Sequence, residues 1–398
     1  MSDDPATRPV VNVQPGRHKR AAQGHPWVYS NEIAMDAAAK ALPPGTLVTL
    51  KAADGTALGV AMFNPHPLVS ARILDRDAGR IVDAGFFAAR LTSALTLRQR
   101  LYDKPFYRLI HAEADGLPGV IVDRFGDVLV VEVNTAGIDR CEAEFLAACD
   151  QVLQPRAIVL RNDSSARGIE GLPLAQRMIG NLANVIGVEE NGGSFLADPL
   201  GGQKTGWFYD QRENRRAVAA LASGARVLDL YCFTGGFGIT AARAGAREVR
   251  CVDRSEPALV LARKALEDDP AAPVCQFERA EVFEKLENLA AARERFDIVI
   301  ADPPAFVKSR KDLGPGLRGY RKLARLAAAL VVPGGFLFIA SCSHNVDVAD
   351  FAESVRRGLH DAGRAGRILL SSGAAPDHPV HPFLPESAYL KAQLLALD

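Results

Sequence analysis

Five side chains in the second half of this chain carry groups suited to binding and to attack: Asp229, Asp253, Glu281, Asp302 and Cys342. Each stands close behind an apolar run, in VLDL, EVRCVD, FERAE, FDIVIAD and GGFLFIASC. Carboxylates placed there can accept hydrogen bonds from sugar hydroxyls and from a base amino group. A cysteine with polar neighbours, here Ser341, Ser343 and His344, can ionise and attack, which a thiol packed in a core does not. Any one of the five, taken alone, reads equally well as a surface loop residue. Their shared position after successive strands is the informative feature.

The elements that must hold them follow from the pattern. VLDLYCFTGGFG, from Val227 to Gly238, is an apolar strand running into a loop with Thr234, Gly235, Gly236 and Gly238, and a helical stretch, ITAARAGA, comes next. Glycine lets bare backbone approach a ligand, because it has no Cβ and reaches φ values other residues avoid. The loop is not Gly-x-x-x-x-Gly-Lys-Ser/Thr, so a phosphate-cradling P-loop is unsupported. Nor is it Gly-x-Gly-x-x-Gly, which argues against a dinucleotide pyrophosphate and a nicotinamide-dependent dehydrogenase. Strands and helices alternate onward from there. The expected fold is α/β, with a Rossmann-like sheet whose ligand edge lies at the carboxyl ends of the strands.

This register resembles the class I S-adenosylmethionine-dependent methyltransferases. The resemblance implies that Asp229 and the Phe233-Thr234-Gly235-Gly236 turn pass the methionine moiety. It likewise gives the ribose to Asp253, with Arg254 beside it, and the adenine to Glu281, where an Asp is more often found. Asp302 falls between cofactor and base. In the resembling families the stretch QKTGWFYDQRENR caps the cofactor, so Tyr209, Asp210, Gln211 and Arg212 are candidates. A polar loop and helix start with a salt-bridged Arg suits any one of these four equally well.

Longer phrases narrow the resemblance. HPWVYSNEI, EADGLPGVIVDRFGD, DPPAFVKSR, RGYRKL, SCSHN and DHPVHPFLPESAYLK are similar to the RlmI-type 23S rRNA cytosine-5 methyltransferases, over almost the whole chain. That similarity implies an N-terminal PUA RNA-binding domain, a central domain and a C-terminal methyltransferase domain. It also implies covalent chemistry. Carbon 5 of cytosine is a poor nucleophile, and a thiolate adding to carbon 6 turns the ring into an enamine. Cys342 is then the expected nucleophile, and Asp302 the group that holds the N3 and amino edge of the base. DPPAF lacks the cysteine that many cytosine-5 enzymes use to release product, so release needs another base or water. Asp-Pro-Pro-aromatic turns also serve enzymes that methylate exocyclic nitrogens; Ala305-Phe306 departs from their strict aromatic placement, although Phe306 could still stack on a flipped base. Methylation at uracil carbon 5 or at an exocyclic nitrogen, and a catalytically idle RNA-binding protein, stay open as alternatives.

At 398 residues the chain is long for one domain. Residues 1–75 read as short strands with Gly/Pro turns, Asp54-Gly55 among them, and predict a small β-barrel, which the resemblance makes the PUA-like domain. Residues 76–190 predict a central α+β domain, and residues 191–398 an alternating α/β domain, which the resemblance makes the methyltransferase domain. No apolar run approaches the ~20 residues that span a bilayer. The first residues lack the apolar core of a secretion signal. Six cysteines without a CxxC pair predict neither a zinc site nor a disulfide framework. A cytoplasmic protein is therefore expected, with no membrane partner and no metal. Net charge is zero, so RNA contact must come from local patches. The candidates are Arg17, Lys19 and Arg20, then Lys308, Arg310 and Lys311, then Arg318 and Arg321. Trp27 and Tyr29 could stack on bases, although Trp27 suits the small barrel's core better. The expected partner is RNA, specifically 23S rRNA, and the sequence leaves room for a homodimer.

Overall fold

The computed structural model describes residues 3–182, 184–202 and 205–398. The chain divides into two compact units. The first holds residues up to 184 together with 199–206 and 377–387. The second holds 185–198, 207–376 and 388–398. The sequence reading kept 377–387 with the last region, whereas this segment packs within the first unit.

Within the first unit are two five-stranded sheets. One joins Val10–Asn12, Thr46–Lys51, Ala57–Phe63, Val69–Asp75 and Trp27–Tyr29, in that order. Its central hairpin turns where the sequence indicated: Gly55 takes a φ of +89°, and Asp54 Oδ1 accepts from Thr56 N at 2.9 Å. Alternating apolar residues give this sheet its own core of Val28, Ile33, Val48, Leu50 and Phe63. The second sheet orders Ala175–Gly180, Ala157–Asn162, Val128–Val133, Val120–Phe125 and Phe106–His111. The helices Ala84–Leu101 and Glu142–Leu153 contribute Phe87, Leu91 and Phe145 to its core, each with no exposed surface.

The second unit is built on a seven-stranded sheet. Its strands are β1 (Arg226–Leu230), β2 (Glu248–Asp253), β3 (Cys275–Arg279), β4 (Phe296–Ala301), β5 (Val331–Ser341), β6 (Gly366–Ser372) and β7 (Lys391–Leu397). The order across the sheet is β3-β2-β1-β4-β5-β7-β6. The first five run parallel, and β7 enters antiparallel between β5 and β6. Central strands buried on both faces must be apolar almost throughout, and Leu228, Leu230, Val299, Ala301, Leu337 and Ile339 have no exposed surface. Each large side chain buried this way contributes about 1.5–3 kcal/mol. Helix Leu313–Leu330 covers one face through Leu323, Ala327 and Leu330. A separate hairpin, Ile186–Glu190 with Gly193–Ala197, also belongs to this unit. No described helix is long and apolar enough to cross a membrane.

Candidate active site

The five candidate residues fall along one edge of the second unit's sheet. Asp229 is the penultimate residue of β1, and Asp253 the last of β2. Glu281 precedes helix Val282–Ala291 just after β3. Asp302 follows β4 and Cys342 follows β5. Because these strands are parallel, all five groups meet at their carboxyl ends, where open α/β sheets bind ligands.

The loop after β1 is tightly specified. Tyr231, Phe233 and Gly235 have φ of +62°, +50° and +81°, a left-handed region that costs non-glycine residues energy and concentrates at functional sites. Asp229 Oδ2 accepts from Gly238 N at 2.7 Å, which pins the start of helix Gly236–Arg243 to the strand. A Cβ on Gly238 would lie 2.4 Å from Cys251 Sγ and 3.0 Å from Asp229 Oδ2, so only glycine fits. Asp253 ties the loop from the other side, accepting from Phe233 N at 2.9 Å and from Ser255 N at 2.8 Å. Burial pushes the Asp229 carboxyl up to about 8, and repulsion from Asp302 and Asp253 adds to this while the Gly238 N–H opposes it. Thr234 Oγ1 is buried without a hydrogen-bond partner among the described residues. Buried hydroxyls are normally satisfied, so this one fits a polar ligand lying over the loop. Glu281 and Arg254 are exposed beside it.

At the other end of the edge, the half-buried Cys342 has its Sγ 3.9 Å from the Pro303 carbonyl oxygen. The remaining thiols are poor nucleophiles. Burial raises Cys141 and Cys232 to about 11 and Cys149 and Cys275 to about 12. Cys251 is raised by its contact with Cys232 and by burial. Around Cys342 a hydroxyl network fixes the backbone: Ser341 Oγ donates to Tyr320 at 2.8 Å, and the Tyr320 and Ser343 hydroxyls lie 2.8 Å apart. Phe306 packs between Phe283 and Tyr320 at ring distances of 6.2 and 4.8 Å. With Lys308, Asp312, Gly316 and Gly319 it lines an open cavity of about 360 Å³.

Two family models match this chain. One, a PUA-like domain, covers residues 11–76. The other, an S-adenosylmethionine-dependent methyltransferase, covers residues 147–361. Ribosomal RNA large subunit methyltransferase I of Klebsiella pneumoniae is 35% identical over 390 residues, 96% of this chain and 97% of that one. The protein of the same name from Cronobacter sakazakii is 36% identical, covering 94% and 96%. That from Pseudoalteromonas atlantica is 34% identical, covering 96% and 97%. This chain belongs to the ribosomal RNA large subunit methyltransferase I family. It has an S-adenosylmethionine-dependent methyltransferase domain and a PUA-like N-terminal domain, as the resemblance implied. Solved structures share the fold. A Streptococcus mutans protein described as a SAM-dependent methyltransferase superposes with a TM-score of 0.80 at 21% identity, over 98% of this chain and 100% of that one. The protein SMU.776, described as a methyltransferase and solved in complex with SAH, gives 0.81 at 20% identity, over 98% and 99%.

The other expected residues are placed less uniformly. Tyr209, Asp210, Gln211 and Arg212 are all buried. Asp210 accepts from the Tyr389 hydroxyl at 2.5 Å, Gln211 accepts from Asn214 at 2.7 Å, and the Arg212 guanidinium lies over the Tyr209 ring. Gln203 and Lys204 of the same stretch lie outside the described residues. Among the basic candidates, Arg20 pairs with Glu32 at 2.8 Å and Arg321 with Asp361 at 2.6 Å. Arg17, Lys19, Lys308, Arg310, Lys311 and Arg318 are exposed and form no ion pair among the described residues. Trp27 is not in the small sheet's core: it is half-buried, its indole N–H donating to Glu113 at 2.7 Å under the Arg72 guanidinium. An indole N–H needs an acceptor, and that requirement outweighed full burial.

Sequence reasoning missed two groups. Glu190 accepts from Arg215 Nε at 2.6 Å and from the Trp207 indole at 3.0 Å, which makes a buried brace behind the glycine loop. Lys391, at the start of β7, is buried and donates to the carbonyls of Ser343 and Val346 at 2.6 and 2.7 Å. A lone lysine opening the apolar run AQLLAL was a signal available for the second.

Proposed function

We propose that this chain methylates carbon 5 of a cytosine in large-subunit rRNA, with Cys342 as the covalent nucleophile. The observation that carries this reading is Cys342, half-buried at the ligand edge against the turn that follows Asp302. The named relatives supply the rRNA. The Asp229 loop, Asp253 and Glu281 would hold S-adenosylmethionine, and the unpartnered Thr234 hydroxyl and strained loop fit that role. When bound, that group supplies an electrophilic methyl.

The Cys342 thiolate adds to carbon 6 of the base, and the electron pair of the carbon 5–carbon 6 bond becomes nucleophilic at carbon 5. Asp302, protonated when the base is bound, donates to N3 and accepts from the amino group, which neutralises the negative charge that develops at N3. Once carbon 5 carries the methyl group it loses its proton to a base. The electrons left behind restore the double bond and expel Cys342 as thiolate. A base buried in a stem cannot be reached this way, so the target is flipped or single-stranded. Lys308, Arg310, Lys311 and Arg318 follow Asp302 in the chain and, exposed and unpaired among the described residues, suit phosphate contact.

Mass spectrometry of rRNA nucleosides from cells with and without this protein tests the reading. Loss of a 5-methylcytidine supports it. Loss of an N-methylated base instead would favour the exocyclic-nitrogen alternative that the Asp302-Pro303-Pro304 turn leaves open.

A further inference from the structure

Lys391 is a buried cation that no carboxylate hydrogen-bonds among the described residues. Its side chain forms no ion pair among the described residues, and its ammonium donates to two backbone carbonyls, those of Ser343 and Val346. Buried charges are ordinarily paired, because a low-dielectric interior penalises an uncompensated ion. Lys391 stands directly across the β5–β7 ladder from Ser341, the residue before Cys342. Its two hydrogen bonds close the turn that starts one residue after the thiol. Burial lowers the Lys391 ammonium from its ordinary value, and the charges of Cys342 and Asp347 act the other way.

We infer that the Lys391 ammonium is the counter-ion of the Cys342 thiolate, a positioning residue that holds the nucleophile's turn and favours its ionised form. The inference rests on Cys342 being the nucleophile. It supplies what that chemistry needs, since a thiol is activated by an adjacent cation and otherwise stays largely protonated at neutral pH. The other titratable groups around this site are Asp302 on the turn after β4, Tyr320 on helix Leu313–Leu330, His344 and Asp347 beyond β5, and Tyr389 before β7. The two carboxylates oppose thiolate formation. Tyr320 is held neutral, raised chiefly by burial. Lys391 is the buried cation that favours the thiolate.

The test is the pH dependence of Cys342 alkylation by iodoacetamide, followed on the Cys342 peptide by mass spectrometry. Full-length wild type is compared with Lys391→Gln and Lys391→Arg. Gln keeps a donor for the turn but removes the charge, whereas Arg keeps both. Lys391→Gln should move the alkylation midpoint up by about one pH unit, slowing the reaction at pH 7 roughly tenfold, and Lys391→Arg should stay near wild type. The acid limb of the kcat profile should move with it. An unchanged midpoint in folded Lys391→Gln overturns the inference. Should that variant not fold, a wild-type midpoint at or above the ordinary thiol value of about 8.5 overturns it as well. Activity of Cys342→Ala separates the two claims. If that variant is inactive while the Lys391→Gln midpoint is unmoved, the nucleophile stands and the counter-ion falls.

Discussion

Cys342 Sγ lies 3.9 Å from the carbonyl oxygen of Pro303. The thiol at the end of one strand is thus tied to the turn at the end of the neighbouring strand, directly after Asp302. The proposed mechanism needs the nucleophile and the base-holding carboxyl fixed relative to each other to act on one ring. Two adjacent parallel strands, stiffened by a double proline, provide that rigidity.

Asp253 offers the simplest prediction for cofactor affinity. Its two oxygens accept from Phe233 N and Ser255 N, so it shapes the loop, and the proposed function gives it the ribose hydroxyls as well. Asp253→Ala should weaken S-adenosylmethionine binding by about 1–3 kcal/mol, read by calorimetry on folded protein. Unchanged affinity would remove Asp253 from the site.

Asp229 predicts a pH dependence of stability. Its carboxyl sits at about 8 in the folded protein against an ordinary 3.8. The folded state therefore keeps a proton that the unfolded chain has released, and stability falls as pH rises from about 4 to about 8. Asp229→Asn should flatten this part of the curve in ligand-free protein. Thermal denaturation between these limits with equal slopes for both proteins would contradict it.

The Glu190 brace should be sensitive to loss of one charge. The Glu190 and Arg215 side chains are 0% and 4% exposed, so removing the carboxylate leaves a buried guanidinium uncompensated. Glu190→Gln should cost about 3–5 kcal/mol in urea denaturation. A loss below about 0.5 kcal/mol, the range of ordinary surface changes, would show that the brace carries little.

For RNA, the ion pairs sort the basic residues. Neutralising Lys308, Arg310, Lys311 and Arg318 should make the slope of log affinity against log salt shallower by about 0.7 for each phosphate of single-stranded RNA that these residues neutralise in wild type. Arg321→Gln should change it less, because Asp361 already engages that guanidinium. Equal slopes for wild type and the fourfold variant would dismiss these residues as phosphate ligands.

Much of this was legible in the chain. The acids and Cys342 could be found because parallel strands buried on both faces are unbroken apolar runs, and whatever polar residue follows marks the ligand edge. The Asp54-Gly55 hairpin was legible because a turn there needs a positive φ. Glu190 and Lys391 were not. Glu190 meets Arg215 across 25 positions of sequence. Lys391 reaches Ser343 across 48; its place before an apolar run marks it in the sequence, but no local pattern reports its partners. Arg20 and Arg321 look like free charges in sequence, and only the fold reveals Glu32 and Asp361 beside them. Trp27 was assigned to a core because its ring is apolar, yet its N–H required Glu113.

The central claim is the covalent bond from Cys342 to the base. RNA carrying 5-fluorocytidine at the target replaces the proton that must leave with fluorine, so the enzyme cannot expel its thiolate. Incubated with S-adenosylmethionine, wild type should form a protein–RNA adduct that survives denaturing electrophoresis, and Cys342→Ala should form none and show no turnover. If no adduct forms at a confirmed target, or if Cys342→Ala remains active, the cytosine-5 mechanism is wrong.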